Sequence, residues 1–193
     1  MAKYTFTSDL SVKGIKNLQK QLRNYKDKIL PKKIEMFMQE LANEGVKIAK
    51  ANIVDYDAIF TGELLASIKS VNGGKVGDKI IFYIVADSKH AAWVEFGTGQ
   101  LGLESPYPGT FPEEMNGGYN TGEYIQQGTE DIYVGGYSEP YIQAGDYFWV
   151  YIGEQDGKLH ISKGMPSRPF MLNTAHRLEE ICVSTAKKVF AKK

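Results

Sequence analysis

Apolar residues recur at helical spacing near both ends of the chain and give way in the middle to short runs of β-branched and aromatic residues. From Val12 to Leu30, Ile15, Leu18, Leu22, Tyr25 and Ile29 alternate at spacings of three and four, which predicts an amphipathic helix. Lys13, Lys16, Lys20 and Arg23 fall on its opposite face. Pro31 suits the first turn of a second helix, whose broad apolar face of Ile34, Phe37, Met38, Leu41, Ala42 and Ile48 is expected to be largely buried. At the other end Pro169 opens a helix with a stripe of Met171, Leu172, Ala175, Leu178, Ile181, Cys182 and Val189.

Between these helices the pattern changes. Thr61-Gly62-Glu63 predicts the start of a short helix, because a threonine hydroxyl accepts from free backbone amides and an early glutamate suits the positive end of the helix dipole. Lys79 to Ala86 predicts a strand, with Ser67 to Val71 as its hairpin partner across the turn signal Asn72-Gly73-Gly74. From Gly99 to Gly145 the chain is rich in Gly, Tyr, Pro and acid, with a strand suggested only at Asp131 to Val134. Irregular segments of that length usually serve a function or order on a partner. Asp146 to Ile152 and Lys158 to Ile161 flank a five-residue loop, Gly153 to Gly157, and predict a second hairpin. Helices at the ends and strands in the middle predict an α+β fold in which an antiparallel sheet packs against the N-terminal and C-terminal helices. The expected organisation is one domain, 1–193, with residues 100–163 as an insertion within it.

Charge alters this picture more than composition does. The 193 residues are 42% hydrophobic and 24% charged, ordinary values for a globular protein, and the formal net charge is zero. That zero conceals a separation: residues 1–50 are basic on balance, with Lys26, Lys28, Lys32 and Lys33 adding to the helical stripe, whereas Glu95 to Gly157 contains no Lys or Arg. The basic stripe is either a solvated helix face or a surface that meets the acidic segment of a neighbour or lines a DNA channel. The lone cysteine, Cys182, cannot close an intrachain disulfide and is expected as a buried thiol. The N-terminus lacks a signal-peptide core and no apolar run is long enough for a bilayer, so a protein made in the cytosol, with no membrane partner, is expected.

Catalytic signatures are weak. Gly97-Thr-Gly-Gln-Leu-Gly102 matches the dinucleotide pattern, but Leu103-Glu-Ser-Pro-Tyr-Pro108 follows it, a poor helix start beside a phosphate. His90, His160 and His176 are far apart and at no metal-ligand spacing, and adjacent Glu113 and Glu114 do not define a cross-cleft carboxylate pair. No catalytic residue, cofactor or metal is expected. The tyrosines Tyr107, Tyr119, Tyr124, Tyr133, Tyr137, Tyr141, Tyr147 and Tyr151 either fill a local core or offer a binding surface, carbohydrate being one ligand. Nucleic acid is disfavoured there because the region lacks cations.

Three stretches, in order, carry a family resemblance: Thr61-Gly-Glu-Leu-Leu-Ala-Ser-Ile68, His90-Ala-Ala-Trp-Val-Glu-Phe-Gly-Thr98 and Gly164-Met-Pro-Ser-Arg-Pro-Phe-Met-Leu-Asn-Thr-Ala175. Together they resemble the tail-completion or head–tail joining family of long-tailed double-stranded DNA phages. The resemblance covers about 61–98 and 164–190; residues 100–163 go beyond the compact family pattern. It implies a non-enzymatic structural protein of the virion neck that forms a homo-oligomeric ring, expected to be sixfold. Such a ring would complete the tail and join it to the head connector, assembling in the host cytoplasm. Its partners would be head-connector and tail-tube or tail-terminator proteins, with DNA passing through the lumen without sequence recognition. The alternative is a peripheral tail or carbohydrate-binding component that uses the Tyr-rich insertion, and a phage-encoded enzyme is a third class. The motif residues that the resemblance marks as structural or as a subunit interface are Thr61, Gly62, Leu64, Trp93, Glu95, Phe96, Gly97, Thr98, Arg168, Pro169 and Phe170. Gly97 suits a sharp turn at positive φ and Pro169 the start of the last helix. Glu95 and Arg168 are expected to form an ion pair tying a strand end to that helix, with Phe96 and Phe170 packed beside it.

Overall fold

The computed structural model describes residues 6–9, 11–59, 62–77, 79–110, 126–127, 132–133, 141–142, 147–152 and 159–191. Helix α1 (Val12–Asn24) passes through a π-helical turn (Tyr25–Ile29) into α2 (Leu30–Asp55). A short α3 (Glu63–Ser67) leads to the strands β1 (Ile68–Val76) and β2 (Lys79–Ala86), then to the short helices α4 (Ala91–Phe96) and α5 (Gly99–Glu104). Five strands follow: β3 (Gln126–Gln127), β4 (Ile132–Tyr133), β5 (Tyr141–Ile142), β6 (Tyr147–Ile152) and β7 (Leu159–Ser162). Strand β8 (Gly164–Met165) precedes the last helix, α6 (Phe170–Ala191). The fold is α+β.

The chain divides into two compact units. The first comprises Met1–Ala51, Ile68–Ala86 and Thr174–Lys193; the second comprises Asn52–Ser67 and Asp87–Asn173. In the first, β1 and β2 form an antiparallel pair with Ile68 opposite Ala86 and Val76 opposite Lys79. The predicted strand at 79–86 is present with those bounds. The turn is displaced from its expected place: the reversal lies between Val76 and Lys79, and Asn72 to Gly74 is a bulge inside β1. Gly74 takes φ +80°, and its amide donates to the Asn72 side-chain oxygen at 2.8 Å, so the Asn-Gly-Gly signal supplies a kink instead of a chain reversal.

The core of this unit forms where α2, β2 and α6 meet. Ala42, Gly45 and Ala49 are buried on one face of α2, and a Cβ placed on Gly45 would stand 2.2 Å from Ile84 Cδ1 and 3.0 Å from Leu178 Cδ1. Small residues let the strand and the second helix approach the α2 backbone. The expected face of large residues is less covered: Phe37, Met38, Leu41 and Ile48 are half-buried and Ile34 is exposed. Along α6 the buried stripe runs through Phe170, Thr174, Thr185 and Val189, with Leu178 and Cys182 half-buried and Ala175 exposed. It is rotated by about one residue from the predicted face, because two threonines share it.

Pro31 does fall in the first turn of α2, yet the helix does not break before it. Proline offers no N–H and its ring crowds the carbonyl four residues back. The preceding turn answers by widening, with the Leu30 amide donating to Tyr25 O, five residues back, in the π pattern.

In the second unit β6 pairs antiparallel with both β3 and β7, which is the predicted second hairpin extended by a strand, and β4 pairs with β5. The stretch expected to be irregular begins instead with a helical turn and a half, α5.

Candidate assembly site

The second unit gathers the central and late motifs into one cluster. Residues 91–96 are helical, not the strand end that was expected, and Gly97 stops the helix at φ +75° with its amide donating to Trp93 O at 2.8 Å. A Cβ at Gly97 would lie 2.6 Å from Ser167 N and 3.0 Å from Met165 O. Glycine is therefore required twice, for its dihedral and for the close passage of the segment leading into α6. Beyond it Thr98 bridges to Met165 in antiparallel fashion. Its hydroxyl oxygen is buried without a hydrogen-bond partner.

Two hydrogen bonds hold the end of α4 to the segment before α6. The Arg168 amide donates to Val94 O at 2.8 Å, and the Ser167 hydroxyl to Glu95 O at 2.7 Å. Helix α6 begins one residue after Pro169, as the fixed φ of proline allows. Proline has no side-chain acceptor, so the first amides of α6 need one from elsewhere.

Glu95 supplies it. One carboxylate oxygen accepts from the Met171 amide at 2.8 Å and the other from the Leu172 amide at 3.0 Å, the positions that a helix N-cap normally serves. The cap comes from a residue 76 positions earlier than Met171. Glu95 is 6% exposed. Burial pushes its carboxyl above the usual carboxylate range, although the amides of Met171 and Leu172, the Tyr107 hydroxyl and the Phe170 amide all pull the other way. Tyr107 is raised as well, by burial first and then by the charge and hydrogen bond of Glu95. Its ring meets Phe96 edge-on, with centroids 4.8 Å apart.

The expected Glu95–Arg168 ion pair is thus corrected. Among the described residues the Glu95 carboxylate is directed at backbone amides and Tyr107, while Arg168 contributes its main chain. The physical reason is proximity: the amides at a helix start are fixed, already dehydrated donors, and engaging them orders no long side chain. Phe170 is 1% exposed, and its carbonyl accepts from the Asn52 side chain at 3.0 Å. Tyr107 was grouped with the insertion tyrosines, and no local pattern marked it as the partner of Glu95.

The remaining motif residues lie in the same unit. Leu64 is buried in α3 and Gly62 takes φ +78°, while Thr61 lies outside the described residues. Trp93 differs from its neighbours in being 43% exposed, with His90 beside it at a centroid distance of 5.4 Å. Lys13, Lys16, Lys20 and Arg23 are in the first unit, exposed along α1, whereas Lys33 is buried and leaves that surface. Among the described residues no group of His, Cys, Asp and Glu could hold a metal ion, and no helix is long and apolar enough to cross a membrane. The tyrosines from Tyr119 to Tyr151 have no described side chains.

Comparison with known families places this architecture. The family model described as “Bacteriophage HK97-gp10, putative tail-component” matches residues 16–97, from the basic helix through the central Trp-Val-Glu-Phe-Gly motif. Residues 16–97 are HK97-gp10-like. This fits the resemblance to phage head–tail and tail-completion proteins and a phage tail-related structural component. The family is structural rather than enzymatic. No curated protein and no solved structure matches the chain. The Arg-Pro-Phe segment falls beyond the matched span, and so does Tyr107. The HK97-gp10-like segment therefore ends at the glycine that stops α4, and the chain beyond it provides the amides that receive Glu95.

Proposed function

We propose that the protein is a ring-forming subunit of the phage neck that completes the tail and joins it to the head connector, with DNA passing through the lumen. It acts by shape and charge matching and performs no reaction. The observation that carries this reading is the use made of the motif residues. Glu95 and Ser167 tie two chain segments together by side-chain-to-backbone hydrogen bonds, the Arg168 amide adds one to Val94 O, Gly97 allows the close passage, and the acid that a hydrolase would keep free is turned onto helix amides. A subunit that must hold its shape while neighbours dock on it needs such a clamp. The exposed Trp93 beside it is the kind of side chain that anchors a protein interface. The glycan-binding alternative draws less support than the tyrosine count suggests, since Tyr107 is engaged with Glu95.

The test is genetic and structural. Phage lacking the gene should accumulate filled heads and separate tails, and purified protein added to such lysates should restore joined particles bearing a ring of density at the neck. Joined, infectious particles formed without the protein would refute the reading.

A further inference from the structure

Charge is sorted between the two units. The first carries 19 Lys and Arg against 8 Asp and Glu, and the second 4 against 15, so the zero net charge of the chain is the sum of two large opposite values. Within the first unit the excess is also ordered in space. Lys13, Lys16, Lys20, Arg23, Lys28 and Lys32 run exposed along α1, the π-helical turn and the start of α2, and Asp27 is the only acid among residues 10–34. At a rise of about 1.5 Å per residue this line is about 28 Å long.

Two further elements bring cations to the far end of the line. Lys32 and Glu35 share one surface depression with Asn72, Gly74 and Lys75 of β1, and Lys79 pairs with Val76 across the turn that follows. Phe37 of α2 meets Phe190 of α6 with ring centroids 6.4 Å apart, which sets the end of α6, with exposed Lys187 and Lys188, against the same part of α2. The ion pairs Lys47–Glu44 and Arg177–Glu180 involve other cations of the unit.

We propose that this surface of the first unit binds the phosphate backbone of double-stranded DNA without reading its sequence. The inference rests on the neck reading and names the surface that meets the DNA passing through. Shape favours this partner: a long line of positive charge fits a linear polyanion, and a duplex lying along it presents a phosphate about every 3.4 Å on each strand. Composition favours it over an acidic protein. Protein interfaces are enriched in arginine and depleted of lysine, whereas Arg23 is the one arginine on this surface beside nine lysines. Lysine is a point charge on a flexible stem, suited to holding phosphates and not to the planar, paired recognition of a carboxylate. Backbone charge alone also leaves a duplex able to slide, which passage through a lumen requires.

Fluorescence anisotropy of a labelled duplex of about 30 base pairs, titrated with the full chain between about 50 and 200 mM NaCl, reads the binding. Two duplexes of unrelated sequence should bind equally, and affinity should fall at least about tenfold over that salt range. Lys16→Glu with Lys20→Glu, and separately Lys75→Glu with Lys79→Glu, should each weaken binding at least about tenfold and flatten the salt dependence. All four side chains are exposed, so circular dichroism should show unchanged unfolding; should one pair unfold the chain, the other decides. Lys20→Glu should weaken binding several-fold, whereas Lys89→Glu, the same change of charge at an exposed position of the second unit, should bind as the wild type does. Absence of binding at the lowest salt, or equal losses from Lys20→Glu and Lys89→Glu, would overturn the inference. Binding of poly-glutamate in place of DNA would also overturn it and assign the surface to an acidic protein. Joined particles that require a protein unable to bind DNA would leave the neck reading standing without this inference; DNA binding through these lysines by a protein that joined particles do not require would uphold the DNA surface and sink the neck reading.

Discussion

Replacing Glu95 by alanine strips the acceptor from the first turn of α6. Two amide donors, those of Met171 and Leu172, then lose their partner where water has little access. Leaving a buried donor unsatisfied costs about 1–3 kcal/mol, and loss of an N-cap alone costs about 0.5–2 kcal/mol. Against this, the raised carboxyl shows that burying the charge is itself unfavourable, and the substitution relieves that strain. The two together give a net destabilisation of about 2–3 kcal/mol, equivalent to a fall of about 4–12 °C in the thermal midpoint for a chain of this size. Arg168→Ala, which keeps the amide bonded to Val94 O, should cost less than about 1 kcal/mol. Urea denaturation followed by tryptophan fluorescence and circular dichroism measures both. Equal losses in the two single variants, with recovery in Glu95→Arg combined with Arg168→Glu, would restore the ion pair and refute the capping argument.

The protonation of Glu95 gives a second handle. The folded chain holds the Glu95 proton more tightly than the unfolded chain does, so this group's stabilising contribution is full below the ordinary glutamate pKa and is lost as pH rises through the raised value. Glu95→Gln should remove that slope from a stability-versus-pH curve; an unchanged slope would sink the assignment. Tyr107→Phe takes away a hydroxyl that lowers the Glu95 pKa, and should shift the sloping region to higher pH while costing about 1 kcal/mol, read by the same denaturation series. Gly97→Ala combines a positive φ with a 2.6 Å approach to Ser167 N and should destabilise by at least about 2 kcal/mol, more than Gly62→Ala, which carries the same dihedral strain at φ +78° but whose Cβ meets open space. Trp93→Ala should leave stability within about 0.5 kcal/mol and yet impair particle joining in a complementation assay, as an exposed interface side chain would.

What the amino-acid sequence determined by itself was local: where turns of helix and strand lie. Strand β2, the helix starts near Ser11 and Pro169, and the positive φ of Gly97 are all written within a few residues, since periodicity, caps and dihedral limits act at that range. The likeness of residues 16–97 to a phage tail family, too, was legible from the two short motifs within that span. Other features needed the folded chain. Asn72 to Gly74 carry a turn signal, but the strand pairing continues past them and makes a bulge. The acidic member of the central motif could be seen, and an arginine was the obvious partner by charge. Only the packing of α4 against the start of α6 revealed that free helix amides compete for the same carboxylate and hold it. That outcome depends on which donors arrive already ordered and dehydrated, a property of contacts between residues more than 70 positions apart that no local pattern contains.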